Sequence, residues 1–160
     1  MTGVRDVPGR VRQVLYYLFV RPTPEDLRRA ALVLPPALYG VFLRMAPADQ
    51  AHGARVAARL ARLAAPEHVL VAAYLHDAGK PAGYGLWWRC AMVVAPGDPP
   101  EPDPPAPGPL GRARQTYHHH ARRAARAIAG AGGSLAVIAL VEGVPGTPWL
   151  AEFERADDAG

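Results

Sequence analysis

Proline restricts the fold of this chain more than any other residue type, because 18 prolines are spread through its 160 residues. Proline lacks a backbone N–H and clashes with the preceding helical turn, so it is confined to the first turns of helices, the edges of sheets and loops. Between the prolines, apolar residues recur at every third or fourth position, and alternation at every second position is absent. This pattern predicts an all-α fold in which short helices pack as a compact bundle.

Prolines and glycines also mark where the helices begin and end. Thr23 precedes Pro24 and Ser134 follows two glycines, and both residues are favourable N-caps. We predict helices at 9–20, 24–33, 36–44, 47–64, 67–79, 84–94, 112–131, 134–143 and 147–157.

The stretch 96–109 differs from the rest, since eight of its fourteen residues are proline. We expect it to form neither helix nor strand and to cross the surface as an extended loop, which costs little stability. A proline-rich ligand for a groove on another protein is the less favoured alternative. With this loop as an insertion, the length fits a single domain covering 1–160.

The composition excludes several classes of protein. Cys90 is the only cysteine, so an internal disulfide and a cluster of thiolate metal ligands are both excluded. No uninterrupted apolar run approaches the ~20 residues that span a bilayer. We therefore expect no transmembrane helix and a cytoplasmic location.

The chain is basic, with a formal net charge of +4 at pH 7, and Lys80 is its only lysine. A basic balance is typical of nucleic-acid-binding proteins, so that class stays open. Several arginines surround the histidine trio 118–120. A solvated helix face is the favoured interpretation of these arginines, and nucleic acid is not the favoured partner.

A His-Asp pair stands in the heptapeptide YLHDAGK, which covers residues 74–80. The dipeptide alone is a weak signal, because it occurs often by chance. Its position is more informative: the apolar run VLVAAYL at 69–75 predicts a buried helix that delivers His76 and Asp77 to its C-terminal end, where Gly79 can terminate it. Two metal-ligand side chains at the end of a buried helix suggest a metal site that distant residues complete.

His52 and Asp157 are the candidates for those distant residues. His52 lies in the first turns of a predicted amphipathic helix whose small residues, Gly53 among them, permit close helix contact. Asp157 lies on the short last helix. Taken singly, the favoured interpretations are a histidine at a packing face and a solvated acidic terminus.

Together, His52, His76, Asp77 and Asp157 form an H…HD…D pattern with a short first gap and a long second gap. In this pattern the chain resembles the HD-domain superfamily of metal-dependent phosphohydrolases, over about residues 36–158. The resemblance implies a helical bundle of the HD-domain type in which these four side chains bind a divalent metal ion. Imidazole and carboxylate donors without thiolates suit Mn, Fe, Mg, Ni or Co.

The resemblance adds catalytic candidates. Lys80 stands within a turn of Asp77 and can offer its charge to phosphate, the alternative being an ordinary cation at a helix C-terminus. His120 matches a histidine that many members add to the site, the alternative being a solvated trio. In hydrolysis Asp77 would orient water, His120 would protonate the leaving oxygen and Lys80 would neutralise developing charge.

One departure from the family concerns the number of metal ions. Members with two metals usually carry a further histidine after the following apolar helix, and residues 140–144 contain none. This favours a single ion flanked by His120 and Lys80. Glu142 as a substitute oxygen ligand is the less favoured alternative.

The expected function is therefore hydrolysis of a phosphomonoester or phosphodiester, with a phosphorylated small molecule or a nucleotide as substrate. A catalytically reduced HD fold, which binds a metal or nucleotide as a regulatory module, is the alternative. A third interpretation is an arginine-rich nucleic-acid binder in which the HD pattern is incidental. A homodimer stays open in each case.

Overall fold

A computed structural model describes residues 20–80 and 104–159 of the chain. Within these ranges all regular structure is helical, which confirms the predicted all-α class. The described helices are α1 (Pro24–Val33), α2 (Pro36–Leu43), α3 (Pro47–Arg62), α4 (Glu67–Leu75), α5 (Gly108–Gly130), α6 (Leu135–Glu142) and α7 (Leu150–Asp158). None of the described helices is both long and apolar enough to cross a membrane.

The predicted N-caps are present. The Thr23 hydroxyl accepts a hydrogen bond from the Asp26 N–H at 3.1 Å, and the Thr23 N–H donates to the Asp26 carboxylate at 2.9 Å. This reciprocal pair is a capping box, which satisfies two backbone donors that the helix itself leaves unpaired. Ser134 caps α6 by accepting from the Val137 N–H at 3.4 Å.

Three predicted boundaries are wrong. Helix α4 ends at Leu75 and not at 79, since residues 76–79 form turns. Helix α5 begins at Gly108, so Pro109 lies in its first turn and not in the surface loop. Proline fits there because its missing N–H would have no partner in a first turn. Helix α7 begins at Leu150 and not at 147, since Trp149 adopts a positive φ of 70° at the N-cap. Other predictions lie outside the described residues. They are the helix 9–20, of which only the non-helical residue 20 is described, the helix 84–94 with its aromatic residues, and residues 96–103 of the proline-rich loop.

Helix α4 is the centre of the described bundle. It packs against α3 on one side and α6 on another, while α5 packs against α6 and α7 against α3. From Val71 to Leu75 every residue of α4 is buried. A helix that is apolar on all sides is stabilised by being surrounded, so α4 reaches the interior with His76 at its end. The largest fully buried apolar side chains around it are Phe42, Leu60, Ile128 and Leu140.

Two glycines permit the close contacts that bring the helices together. A Cβ on Gly53 of α3 would lie only 2.9 Å from the Tyr74 carbonyl oxygen of α4. A Cβ on Gly79 would overlap the His120 carbonyl oxygen and lie 2.7 Å from the Ala124 nitrogen of α5. Gly79 therefore matters for close packing against α5; its φ is not in the left-handed region that a terminating glycine often adopts.

Replacing Gly79 by alanine is expected to lower the free energy of unfolding by roughly 1–3 kcal/mol, because the α5 backbone must move away from the new methyl group. Urea denaturation followed by far-UV circular dichroism measures this change. Gly130→Ala is the matched control, since a Cβ at Gly130 would meet nothing within 4 Å. Equal stability of Gly79→Ala and Gly130→Ala would contradict the close contact.

Candidate metal centre

Three side chains from three helices converge at one end of α4. His52 comes from α3, His76 follows the last residue of α4, and Asp157 comes from α7. The Asp157 Oδ1 atom lies 2.7 Å from His52 Nε2 and 3.3 Å from His76 Nε2. One ligand atom from each residue lies within 4.8 Å of the others. Two imidazole nitrogens and a carboxylate oxygen at this separation could hold a metal ion.

The orientation of His76 is set by the backbone of its own helix. Its Nδ1–H donates to the Ala73 carbonyl oxygen at 2.9 Å, so Nε2 is the nitrogen that faces Asp157 and donates to it when the imidazole is protonated. Such a hydrogen bond to the far nitrogen is typical of metal-binding histidines, because it selects the tautomer. The Phe153 ring also packs edge-on against the imidazole, with centroids 5.8 Å apart.

His52 is less firmly set as a ligand than His76. Its imidazole lies 5.1 Å from that of His76, and its Nδ1 atom is 3.5 Å from the Arg55 guanidinium. An arginine only donates, so this long contact favours a proton on Nε2, which then donates to Asp157. Binding of a metal at Nε2 requires the proton to be on Nδ1 and the Arg55 contact to be released.

Asp157 is held in place by an arginine that the sequence analysis did not identify. Arg59 of α3 donates to the Ala156 carbonyl oxygen at 2.9 Å and to the Ala159 carbonyl oxygen at 2.7 Å. These bonds satisfy carbonyls at the end of α7, where the helix provides no donors. Since Arg59 lies seven residues after His52, both side chains lie on the same face of α3. This face therefore supplies the candidate ligand His52 and the arginine that holds the end of α7, which carries Asp157.

Asp77 lies beside this three-residue group and pairs with Lys80. The Lys80 Nζ atom is 2.5 Å from Asp77 Oδ1, whereas His76 Nε2 is 3.7 Å from the same oxygen. Burial opposes the charged form of Asp77, but His76 and Lys80 hold the pKa of its carboxyl well below the usual range. Asp77 is therefore a carboxylate at neutral pH. Its role as a fourth metal ligand stays a prediction.

The pKa values of His76 and Asp157 are also shifted by neighbouring groups. Burial alone would lower the pKa of His76, but Asp77 and Asp157 outweigh burial and raise the pKa above its ordinary value. Partial burial opposes the charge on Asp157, yet hydrogen bonds from His52 and His76 hold its pKa far below the usual range. Asp157 is consequently an anion, as a metal ligand must be.

The histidine trio projects in three directions, as expected for consecutive helical residues. His118 packs edge-on against the Tyr117 ring, His119 lines a separate cavity, and His120 lies near Lys80. The His120 Nδ1–H donates to the Tyr117 carbonyl oxygen at 2.9 Å. Burial, reinforced by the charge of Lys80, lowers the pKa of His120, so the imidazole is neutral with a free Nε2 lone pair.

Sequence reasoning identified residues that the fold brings close together, but it missed their supports. His52, His76 and Asp157 form one cluster, and Asp77 with Lys80 adjoins it. Glu142 is exposed at the end of α6. Phe153 and Arg59 carry no motif that marks them, although the spacing of Arg59 from His52 is a helical signal.

Comparison of the chain with protein-family models, with curated proteins and with solved structures finds no match in any of the three.

Acid is expected to destabilise the metal-free protein through Asp157. Its pKa is below the ordinary value of 3.8 in the folded state, so the unfolded chain binds more protons in acid. The stabilisation from Asp157 is complete well above that value and is lost as the pH falls through and below it. His76 acts in the opposite sense, because its stabilisation is lost only as the pH rises through its raised pKa. Urea denaturation in EDTA over a pH series measures both effects.

The variant Asp157→Asn is expected to be less stable than wild type at pH 6 and to lose less further stability in acid. The exposed neighbour Asp158 provides the control, because Asp158→Asn removes the same charge outside the cluster. An unchanged acid dependence in Asp157→Asn would contradict the assigned hydrogen bonds.

Arg59→Ala is expected to weaken metal binding by roughly tenfold or more without touching a ligand, since α7 loses its clamp. Titration calorimetry with Mn²⁺ measures the affinity. Arg62→Ala, an exposed change on the same helix, is the control and should bind as wild type does. Equal affinities in both variants would show that Arg59 does not position Asp157.

Proposed function

We propose that this protein is a metal-dependent phosphohydrolase of the HD-domain type that cleaves a phosphomonoester or phosphodiester, with a nucleotide-like substrate. The observation that carries the proposal is the convergence of His52, His76 and Asp157. These residues come from distant parts of the chain, and their order with Asp77 is the order in which the HD superfamily carries its ligands.

The donor set fits a divalent cation. Three protein ligands are the number that catalytic metal sites commonly use, because coordination positions then remain for water and substrate. The Asp157 side chain is 39 % exposed while that of His76 is 8 % exposed. The site is therefore buried at His76 and open to solvent at Asp157. A divalent cation held there would polarise a phosphoryl oxygen and lower the pKa of a nearby water molecule.

Asp77 and Lys80 supply opposite charges beside that site. The Asp77 carboxylate is ionised and buried, and it can accept a hydrogen bond from an attacking water and so orient it. The Lys80 ammonium is 24 % exposed, which leaves it able to contact a phosphate oxygen while it still pairs with Asp77. A point charge in this position stabilises the charge that develops on the phosphoryl group.

His120 is the candidate for proton transfer. Its Nδ1–H is already donated, so Nε2 is the nitrogen that can carry a proton to the leaving oxygen. The lowered pKa makes the imidazole neutral in the free protein, so His120 must first take up a proton from solvent. The negative charge of a bound phosphate would favour this uptake, and the proton would then pass from Nε2 to the leaving oxygen.

The test combines metal analysis with turnover. We expect the purified protein to bind about one divalent ion per chain, as one three-ligand group implies. It should hydrolyse p-nitrophenyl phosphate, bis(p-nitrophenyl) phosphate or a member of a nucleotide panel in the presence of Mn²⁺, Fe²⁺, Mg²⁺, Ni²⁺ or Co²⁺. His76→Ala should lose both metal and activity, and EDTA should abolish activity in the wild type.

His68→Ala is the matched control for His76→Ala. His68 lies on the same helix, two turns before His76, and outside the three-residue group. This variant should keep both metal and turnover. Metal binding without turnover, across all five cations and the whole panel, would overturn the enzyme proposal and leave a metal-binding regulatory module. Absence of metal binding would overturn both.

A further inference from the structure

A second concave site lies on a different face of α5. It is a cavity of about 450 Å³ lined by Pro105, Arg112, Gln115, His119, Arg122, Arg123 and Arg126. None of these residues belongs to the metal centre. Four guanidinium groups in one wall, with no carboxylate among the lining residues in 20–80 and 104–159, make this part of the cavity strongly basic.

The cavity brings together residues from both halves of α5. Arg112 and Gln115 lie before the break in helical φ and ψ at His119, and Arg122 and Arg126 lie after it, so these five residues form one stripe that lines the cavity. Arg123 flanks the stripe, and its guanidinium donates to the Thr116 hydroxyl at 3.0 Å. That bond keeps one arginine directed along the helix surface.

The charge on this helix is not compensated by its own sequence. Helix α5 contains five arginines and no aspartate or glutamate. Arginines at 122, 123 and 126 lie within about one turn of each other, so an anion bound among them would reduce their mutual repulsion. Salt bridges along exposed helices elsewhere in the chain follow the usual pattern, as Arg155 does with Glu152.

The opposite wall of the cavity is held in place by Gln115. Its Oε1 atom accepts from the Ala106 N–H at 3.1 Å, and its Nε2 donates to the Pro104 carbonyl oxygen at 2.9 Å. The extended residues before α5 are thereby fastened back along the helix. These bonds hold Pro105, which lines the cavity, in place beside α5.

The chemistry of the lining selects an anion with several phosphate groups. Guanidinium groups bind phosphate through two parallel hydrogen bonds, and arginine is preferred for such recognition. A single phosphate would contact one or two of the arginines, whereas a chain of phosphates could contact several of them at once. The volume lies within the range of small-molecule sites, about 300–1,000 Å³, which favours a compact ligand over a nucleic-acid duplex.

We propose that the Arg112, Arg122 and Arg123 cavity on α5 is a binding site for an oligophosphate, either inorganic or the phosphate chain of a nucleoside triphosphate. The site is separate from the metal centre. His119 lines the cavity, whereas the next residue, His120, lies near Lys80. The proposal does not depend on hydrolysis or on a bound metal.

Titration calorimetry of the full chain in EDTA, with inorganic triphosphate as the probe, tests the proposal. We expect saturable binding that weakens as salt rises and that is at least about tenfold tighter than the binding of inorganic phosphate. The double variant Arg122→Gln with Arg123→Gln should weaken it by about tenfold or more, and Arg112→Gln should also weaken it. Titrations with a nucleoside triphosphate and with its nucleoside distinguish an inorganic oligophosphate from a nucleotide as the ligand. Equal affinity for inorganic triphosphate and for the nucleoside triphosphate identifies the phosphate chain as the part that binds.

Two controls separate this site from general charge and from the metal centre. Arg155→Gln removes one exposed positive charge outside the cavity and should bind triphosphate as wild type does. His76→Ala should also bind it normally, even if it has lost metal and turnover. Far-UV circular dichroism checks that each variant is folded.

Three results would overturn the proposal. The first is no saturable binding of triphosphate, and the second is equal weakening in Arg155→Gln and in the cavity variants. The third is tighter, arginine-dependent binding of a single-stranded oligonucleotide than of triphosphate, which would identify a nucleic-acid surface in place of a small-ligand site.

Discussion

The hydrogen bonds between one carboxylate and two imidazoles hold the candidate site together. Asp157 accepts from His52 and faces His76, so a residue near the end of the chain joins α3 to the end of α4. Without a metal, these contacts offset the partial burial of the Asp157 carboxylate, which opposes its negative charge. The same three atoms are the ones a cation would bind, so the metal-free contacts already hold the ligands near each other.

Close backbone contacts give this arrangement its rigidity. Gly53 lets α3 approach α4 next to His52, and Gly79 lets the turn after His76 approach α5 next to His120. A larger residue at either position would separate the helices that carry the functional side chains. The glycines therefore determine distances in the site although they contribute no chemistry to it.

Helix α5 contributes to two environments, because its backbone breaks at His119. His120 lies near Lys80 and the candidate metal centre, and its pKa is lowered. His119 is where the backbone departs from helical φ and ψ, and it lines the arginine cavity. A phosphorylated substrate at one site and an oligophosphate at the other would both be drawn by the net positive charge of this helix.

The helical class, most helix starts and the identity of the candidate ligands followed from the sequence, because helical periodicity, N-caps and motif order are local or ordered along the chain. Thr23 and Ser134 marked their helices correctly, whereas Pro109 was assigned to a loop because proline's tolerance in a first turn competes with its preference for loops. Only the tertiary structure decided that Asp157 meets both histidines, that Asp77 pairs with Lys80, that Arg59 clamps α7 and that four arginines line one cavity. Those relations depend on how helices cross and how closely their backbones approach, and neither quantity is written in the spacing of residues along a single helix.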